Sequence, residues 1–323
     1  MPELSQINPY PNKEDELKRL FELYISECQY TKRLSPQTIK GYREVFRTFQ
    51  KIVPEAKALN HLNAQTVGEF FRRLTIRKRI VGKEVQIGIK ISTTNTYYRK
   101  LMVFFRWLET NEYLIRGSIT KKVARPPTPV YTDDRALTEE EVSKFIAAIT
   151  IYRSKDSFAY KRDQTIISIL LYSGLRRGEL LGLRVQDINF ETNMIFVNHV
   201  TSKSKYDRYI PMHRNLRSTL REYLLERKDR GITISTLIAS AKRGTAFTEH
   251  GLKHWVKKYK KLSGVNFHLH RCRHTFTCSL AKAGADIRTI MRLLGHTSMR
   301  MTLRYLRSLT PEDSRVYIEK LPF

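Results

Sequence analysis

Cysteine is scarce: Cys28, Cys272 and Cys278 are the only ones in 323 residues. Thiols so few and so scattered form no disulfide framework, which fits a chain folded in a reducing compartment. Long apolar runs are missing as well. The longest, around Ile166 to Tyr172, is far too short to span a bilayer. The N-terminus is polar and carries Pro2, Pro9 and Pro11, unlike a secretory leader. The expectation is a cytoplasmic protein with no membrane partner. Acidic residues are the third scarcity. There are 31 Asp and Glu against 59 Lys and Arg, a formal charge of +28. Up to residue 130 the count is 24 basic to 12 acidic, and beyond it 35 to 19. The excess therefore belongs to both halves and is no basic tail. Two basic halves suggest a long polyanion gripped from two sides. A ribosome- or RNA-associated protein fits the charge equally well.

With 41% hydrophobic residues the chain can bury cores, and its length allows two domains. In the first half, residues 14–28 read as an amphipathic helix with Leu17, Leu20, Phe21 and Tyr24 on one face. Ser35-Pro36 opens a second helix, with Ile39, Tyr42, Val45, Phe46 and Phe49 inward. A third starts near Asn63 and a fourth near Ser92, with an exposed basic loop or hairpin around Arg77–Val85 between them. A small helical bundle over 1–116 is expected, with no catalytic cluster of its own. Residues 117–134, with Lys121, Lys122 and the run from Arg125 through Pro129, read as a stiff extended linker.

A new domain opens at Thr138, with Glu141 at the capping-box position, and Asp163–Ser173 reads as a buried helix. Alternation over Met194–Val200 and Tyr206–Met212 predicts two strands, with the turn that holds Lys203 between them. Helices return near 214–228, 249–261 and 273–283. Gly284 ends the last of these, Asp286 caps another, and Gly295 ends that one.

Chemistry concentrates in this second half. Arg176 lies where a buried helix runs into Ser-Gly-Leu-Arg, and a guanidinium at such a junction needs a partner or a phosphate. Glu179, one turn on, can orient it. Arg177 reads as a solvated neighbour. Lys203 is one lysine in a turn where Lys205 competes. His270 and His274 stand one helical turn apart, which admits a metal site, but Arg271 and Arg273 beside them oppose a cation. The other reading is a phosphate clamp, with Arg273 donating to two oxygens and His270 exchanging a proton. His296 follows Gly295 at a helix end, where a cation favoured by the helix dipole is the plainer role. Tyr305, one of 17 tyrosines, would in isolation be a packing residue.

In order, these pieces resemble the tyrosine recombinase (phage integrase) family. Its boxes are matched by Gly174-Leu-Arg-Arg-Gly-Glu-Leu180, by His270-Arg-Cys-Arg-His-Thr-Phe276, and by Leu294-Gly-His296 with Tyr305 nine residues on. The family's hairpin lysine lies eight residues before a proline, and Lys203 with Pro211 matches that spacing. Cys272 departs from the family's usual leucine, and Ser173 from its usual threonine. The resemblance implies a mainly α fold with a small antiparallel β-sheet in a catalytic domain over 135–310. With the helical core-binding domain this would form a C-shaped clamp on double-stranded DNA. It implies Tyr305 as nucleophile, and Arg176, Arg273 and His296 on the phosphate. Lys203 would be the general acid, His270 the proton acceptor or a phosphate ligand, and Glu179 the support of the first arginine. It implies neither metal nor cofactor.

A homo-tetramer on paired recombination sites, monomeric when free, would exchange strands through a Holliday junction, with accessory DNA-binding proteins as further partners. The apolar tail 311–323 would pack on a neighbouring protomer or on its own domain. Its simple architecture is Xer-like or that of a mobile-element integrase, with integration and excision or chromosome dimer resolution as the job. A type IB topoisomerase shares the chemistry, and a non-catalytic DNA-binding regulator shares the scaffold.

Overall fold

A computed structural model describes residues 16–82, 84–127, 136–198 and 206–306, in two compact units that divide between Tyr131 and Thr132. The first unit is built on four helices: α1 (Glu16–Ser26), α2 (Pro36–Ile52), α3 (Ala64–Ile76) and α4 (Ile91–Thr110). Two begin on side-chain caps. Ser35 accepts from the Thr38 N–H, with Pro36 in the first turn, and Asn63 accepts from the Thr66 N–H. Past α1 the chain makes one wide turn, Glu27–Thr31, where Glu27 accepts from the Trp107 indole at 2.5 Å. Aromatic rings form the centre. Phe21 stacks on Phe46 with centroids 3.8 Å apart and meets Phe104 edge-on at 5.1 Å. Phe49, Phe70 and Phe105 are fully buried around them. The basic stretch after α3 is a hairpin, β1 (Lys78–Val81) and β2 (Glu84–Ile87), paired antiparallel with Ile80 opposite Val85.

The chain after α4 does not leave the unit at residue 117. Ile119 is buried in the first core and Val123 packs against it. Glu109 draws this segment in, accepting from the Ile119 and Thr120 N–H groups at 2.9 Å and from the Thr120 hydroxyl at 2.6 Å. Residues 124–127 then belong to no helix or strand, and residues 128–135 lie outside the described set.

The second unit surrounds α6 (Ser157–Ser173), which is buried along most of its length. Helices α8 (Arg214–Asp229) and α10 (Leu269–Lys282) pack on α6, and α9 (Glu249–Ser263) packs on α5 (Glu139–Ile151). Helix α5 opens on a reciprocal cap: Thr138 Oγ1 accepts from Glu141 N at 3.1 Å, and the Glu141 carboxylate accepts from Thr138 N at 2.9 Å. A three-stranded antiparallel sheet, β3 (Ile188–Asn189), β4 (Met194–Val197) and β5 (Arg208–Pro211), lies beside them in that order, with Ile195 opposite Ile210. Three short helices complete the described unit: α7 (Arg177–Gly182), α11 (Ile287–Leu294) and α12 (Met299–Leu306).

Helix α10 begins four residues earlier than its composition suggests, because His268 Nδ1 caps it by accepting from Arg271 N at 3.1 Å. Histidine is not among the favoured N-caps, so the start is hidden in sequence. No helix among the described residues is long and apolar enough to cross a membrane.

Burial pushes the Glu109 carboxyl upward, but the hydrogen bonds from Thr120 and Ile119 outweigh it, so the group titrates below its ordinary value. Its contribution is present above the ordinary carboxylate range and is lost as pH falls through the depressed value. Glu109→Gln is expected to cost the first unit about 1–3 kcal/mol at neutral pH. In urea melts the gap from wild type should narrow towards acid; a gap independent of pH would contradict this account.

Candidate active site

Helix α6 ends at Gly174, whose φ of 59° and ψ of 24° are left-handed. A Cβ built there would lie 2.4 Å from Cδ1 of Phe276, so both the backbone turn and the close ring require glycine. The turn delivers Arg176 to the start of α7. One turn on, the Glu179 carboxylate accepts from Arg176 N at 2.8 Å and from Arg176 Nη1 at 2.9 Å. The Glu179 side chain is 0% exposed. Burying it without cations would be prohibitive, and the fold supplies them.

Three guanidiniums converge on this carboxylate and on the last carbonyls of α11. Arg273, from α10, is 2% exposed. Its Nη1 donates to Gly174 O and its Nη2 to Leu294 O, each at 2.6 Å, and it stands 3.9 Å from Glu179. Arg176 donates to Leu294 O at 3.3 Å and to Gly295 O at 3.4 Å. Arg208, from β5, donates to Glu179 through Nη1 at 3.2 Å and Nη2 at 2.7 Å, and through Nε to Leu293 O at 2.8 Å. A helix C-terminus leaves carbonyls without intrahelical donors and carries the negative end of the dipole, so it is a natural seat for cations. Phe276, Ile290 and Leu294 form the small apolar cluster that holds α10 against α11.

His296 follows the left-handed Gly295 that ends α11. Its Nε2 lies 3.0 Å from Arg273 Nη2 and its Nδ1 2.8 Å from Thr302 Oγ1. Arginine only donates, so Nε2 accepts, and Nδ1 carries the proton towards Thr302. Burial pushes the imidazole down to about 3, and the charge of Arg273, then Arg176, Arg208 and His270, adds to that. The ring is neutral at physiological pH.

The structure thus brings Arg176, Glu179, Arg273 and His296 together. His270 lies exposed at the first turn of α10, near enough for its charge to bear on His296. Tyr305 belongs to α12 by its backbone, three residues after Thr302, and its side chain is outside what is described. Lys203 and the tail 311–323 also lie outside the described residues. Arg177 is exposed and pairs with Glu249 at 2.9 Å. Arg271 turns away to Glu141 at 2.8 Å and ties α10 to α5. Among the described residues no group of three His, Cys, Asp or Glu could hold a metal ion. Burial pushes the Cys272 thiol up to about 12, so it serves as a core side chain in place of leucine.

Two members of the cluster escape a motif reading. Arg208 carries a signal in strand periodicity: it shares the inward face of β5 with Ile210, while Tyr209 and Pro211 face out. A charge on a buried strand face demands a partner. Thr302 gives no such signal, since a threonine on a short helix is ordinary.

Two expectations follow from this geometry. Gly174→Ala should destabilise the second unit by about 1–3 kcal/mol, through left-handed strain and the Phe276 ring; calorimetry reading an unchanged Tm would contradict that origin of the turn. For His296, the folded value is depressed from 6.5 to about 3, so between those values the unfolded chain binds a proton that the folded chain does not. Stability from this group is present above 6.5 and is lost as pH falls towards 3. The stability of wild type relative to His296→Asn should therefore decline from pH 7 to pH 4, and a relative stability that rises in acid would mean the ring is charged in the fold.

Residues 135–312 match the model of the phage integrase family. Over 309 residues the chain is 25% identical to tyrosine recombinase XerC of Staphylococcus aureus, covering 95% of this chain and 97% of that one. Among solved structures, the XerH site-specific recombinase bound to a palindromic difH substrate aligns with a TM-score of 0.69 at 20% identity, over 92% of this chain and 82% of that one. The Tn1549 transposon integrase in complex with transposon right end DNA aligns at 0.69 and 22% identity, over 94% and 99%. With the domain match spanning more than half of its length, this chain belongs to the phage integrase family and is a tyrosine recombinase.

Proposed function

We propose that the chain is a site-specific recombinase that cuts and rejoins double-stranded DNA through a tyrosine, with Arg176, Lys203, His270, Arg273, His296 and Tyr305 as its working residues and Glu179 in support. The observation that carries the assignment of residues is the convergence of Arg176, Arg273 and His296 on one helix end, with Thr302, on the helix of Tyr305, bonded to His296. Three arginines share one carboxylate there, which leaves two formal positive charges for an anion. A phosphodiester supplies the anion, and its transition state supplies more negative charge.

The Tyr305 oxygen attacks phosphorus, the bond from phosphorus to the 5′-oxygen breaks, and a 3′-phosphotyrosyl link forms. The tyrosine proton passes to His270, and the 5′-oxygen takes a proton from Lys203 as general acid. Arg176 and Arg273 bind the non-bridging oxygens. His296 adds a hydrogen bond once Arg273 turns to the phosphate. The Thr302 hydroxyl can accept or donate, so it satisfies either imidazole tautomer. Attack by a different 5′-hydroxyl reverses the step on a new strand. Bond energy is conserved, so no ATP is consumed.

The basic excess in both halves suits a clamp with one unit on each face of the duplex. Four protomers on two sites would exchange strands pairwise through a Holliday junction, with the tail 311–323 as a candidate contact between them. Accessory DNA-binding proteins would set direction. Integration and excision of a mobile element, and resolution of chromosome dimers, are the two roles this chemistry serves.

The test uses nicked suicide duplexes made from DNA flanking the gene or from the ends of its resident element. Wild type should form a covalent adduct on a denaturing gel, and Tyr305→Phe none. An adduct that survives in Tyr305→Phe would remove that tyrosine from its role; specific binding without any adduct would leave a regulator.

A further inference from the structure

Arg208 has no place in the motif boxes, yet it is the arginine that grips Glu179 most fully. The Arg208 side chain is 4% exposed, against 22% for Arg176. It cannot be a surface cation that happens to lean inward. It closes its fork on both oxygens of Glu179, at 3.2 and 2.7 Å, and its Nε reaches Leu293 O at 2.8 Å. One side chain thereby joins α7, β5 and the end of α11. Leu293 stands next to Leu294, which holds Arg273 and Arg176, and three residues before His296.

We propose that Arg208 is a positioning residue for strand cleavage: by occupying both oxygens of Glu179 it keeps Arg176 from collapsing onto that carboxylate and holds it turned towards the phosphate. The inference rests on the recombinase reading above.

Arg208 and Arg176 compete for one acceptor group. An ionised carboxylate has about four lone-pair sites. In the structure Arg208 uses one on each oxygen. Arg176 reaches Oε1 through a single guanidinium nitrogen, while its own backbone N–H takes Oε2. A bidentate fork is the strongest geometry a guanidinium and a carboxylate can make. With Arg208 gone, the buried Glu179 would be short of charge, and Arg176, the more exposed and less constrained cation, would swing in to form that fork. Nε and the second N–H of Nη2, the donors not already committed to Glu179, Leu294 O and Gly295 O, would then be drawn onto the protein and away from the substrate. Arg208 does not touch DNA in this account. It sets the direction of the residue that does. Lysine cannot replace it, because an ammonium is a point charge without a fork or a second edge for Leu293 O.

The test is single-turnover cleavage of the nicked suicide duplex, with duplex affinity and a thermal melt measured alongside. Arg208→Lys should bind duplex nearly as wild type does and melt somewhat lower, but at a temperature where it is fully folded it should cleave about tenfold slower or worse. A purely structural residue would instead lose rate only in step with affinity and folded fraction. The decisive arm is the pairing with Glu179→Gln, which removes the charge that would capture Arg176. In that background Arg208→Lys should cost less than about threefold. If Arg208→Met leaves a buried charge and fails to fold, the double variant Glu179→Gln/Arg208→Met removes both charges and should cleave like Glu179→Gln alone.

Wild-type cleavage by Arg208→Lys, or penalties that simply multiply in the double variant, would overturn the inference while the wild-type adduct still upheld the recombinase reading. Absence of any wild-type adduct would overturn both.

Discussion

One buried carboxylate and one helix end carry the electrostatics of this site. Glu179 and the carbonyls of Leu293, Leu294 and Gly295 are the acceptors on which Arg176, Arg208 and Arg273 all depend. Desolvating three guanidiniums is costly, and a single carboxylate does not neutralise them. The helix dipole and the directed carbonyl oxygens make up part of the difference. What remains is a net positive field in a poorly solvated place, which is what a transition state rich in negative charge requires. The same field explains the neutral His296: a fourth cation beside these three arginines is disfavoured on top of its burial.

Because the acceptors are shared, the parts of the site are not independent. Glu179 comes from α7, Arg273 from α10, Arg208 from β5, and the carbonyls from α11. His296 then passes the connection to Thr302 on α12, the helix whose backbone carries Tyr305. Displacing any one element leaves a buried charge or carbonyl without its partner, and such losses cost more than the bond itself contributed. The electrostatics of the cluster and the packing of four helices and a strand are therefore one problem. The first unit shows no comparable cluster among its described residues. Its aromatic core and the Glu109 anchor hold it together, and its excess of Lys and Arg suits a polyanion.

Legibility from sequence followed chain distance. Arg176 and Glu179 are three residues apart, so helical geometry alone puts them on one face. Thr138 and Glu141, Ser35 with Pro36, Asn63, Asp286 and Gly295 announced their caps, because capping is a local matter of one side chain and the next turn. Short helices α7 and α12 and the two-residue strand β3 carried too little periodicity to be read. The start of α10 was hidden by its histidine cap, and the depth to which residues 117–123 dock was hidden because Glu109 reaches them across a turn of irregular chain.

The order of residues by itself determined the two-unit organisation, the mainly helical class, and the boxes that mark the family, since each of these is written in contiguous stretches of a few to a dozen positions. Only the tertiary structure decided how charge is apportioned. Arg208 lies 29 residues from Glu179 and 85 from Leu293, and strand alternation marks it only as inward-facing, without naming its partners. The neutral state of His296 and its bond to Thr302 are likewise products of burial and of neighbours drawn from distant segments. Hydrogen bonds within a turn are dictated by short-range geometry, whereas the sharing of one carboxylate by three cations exists only once packing has removed water from between them.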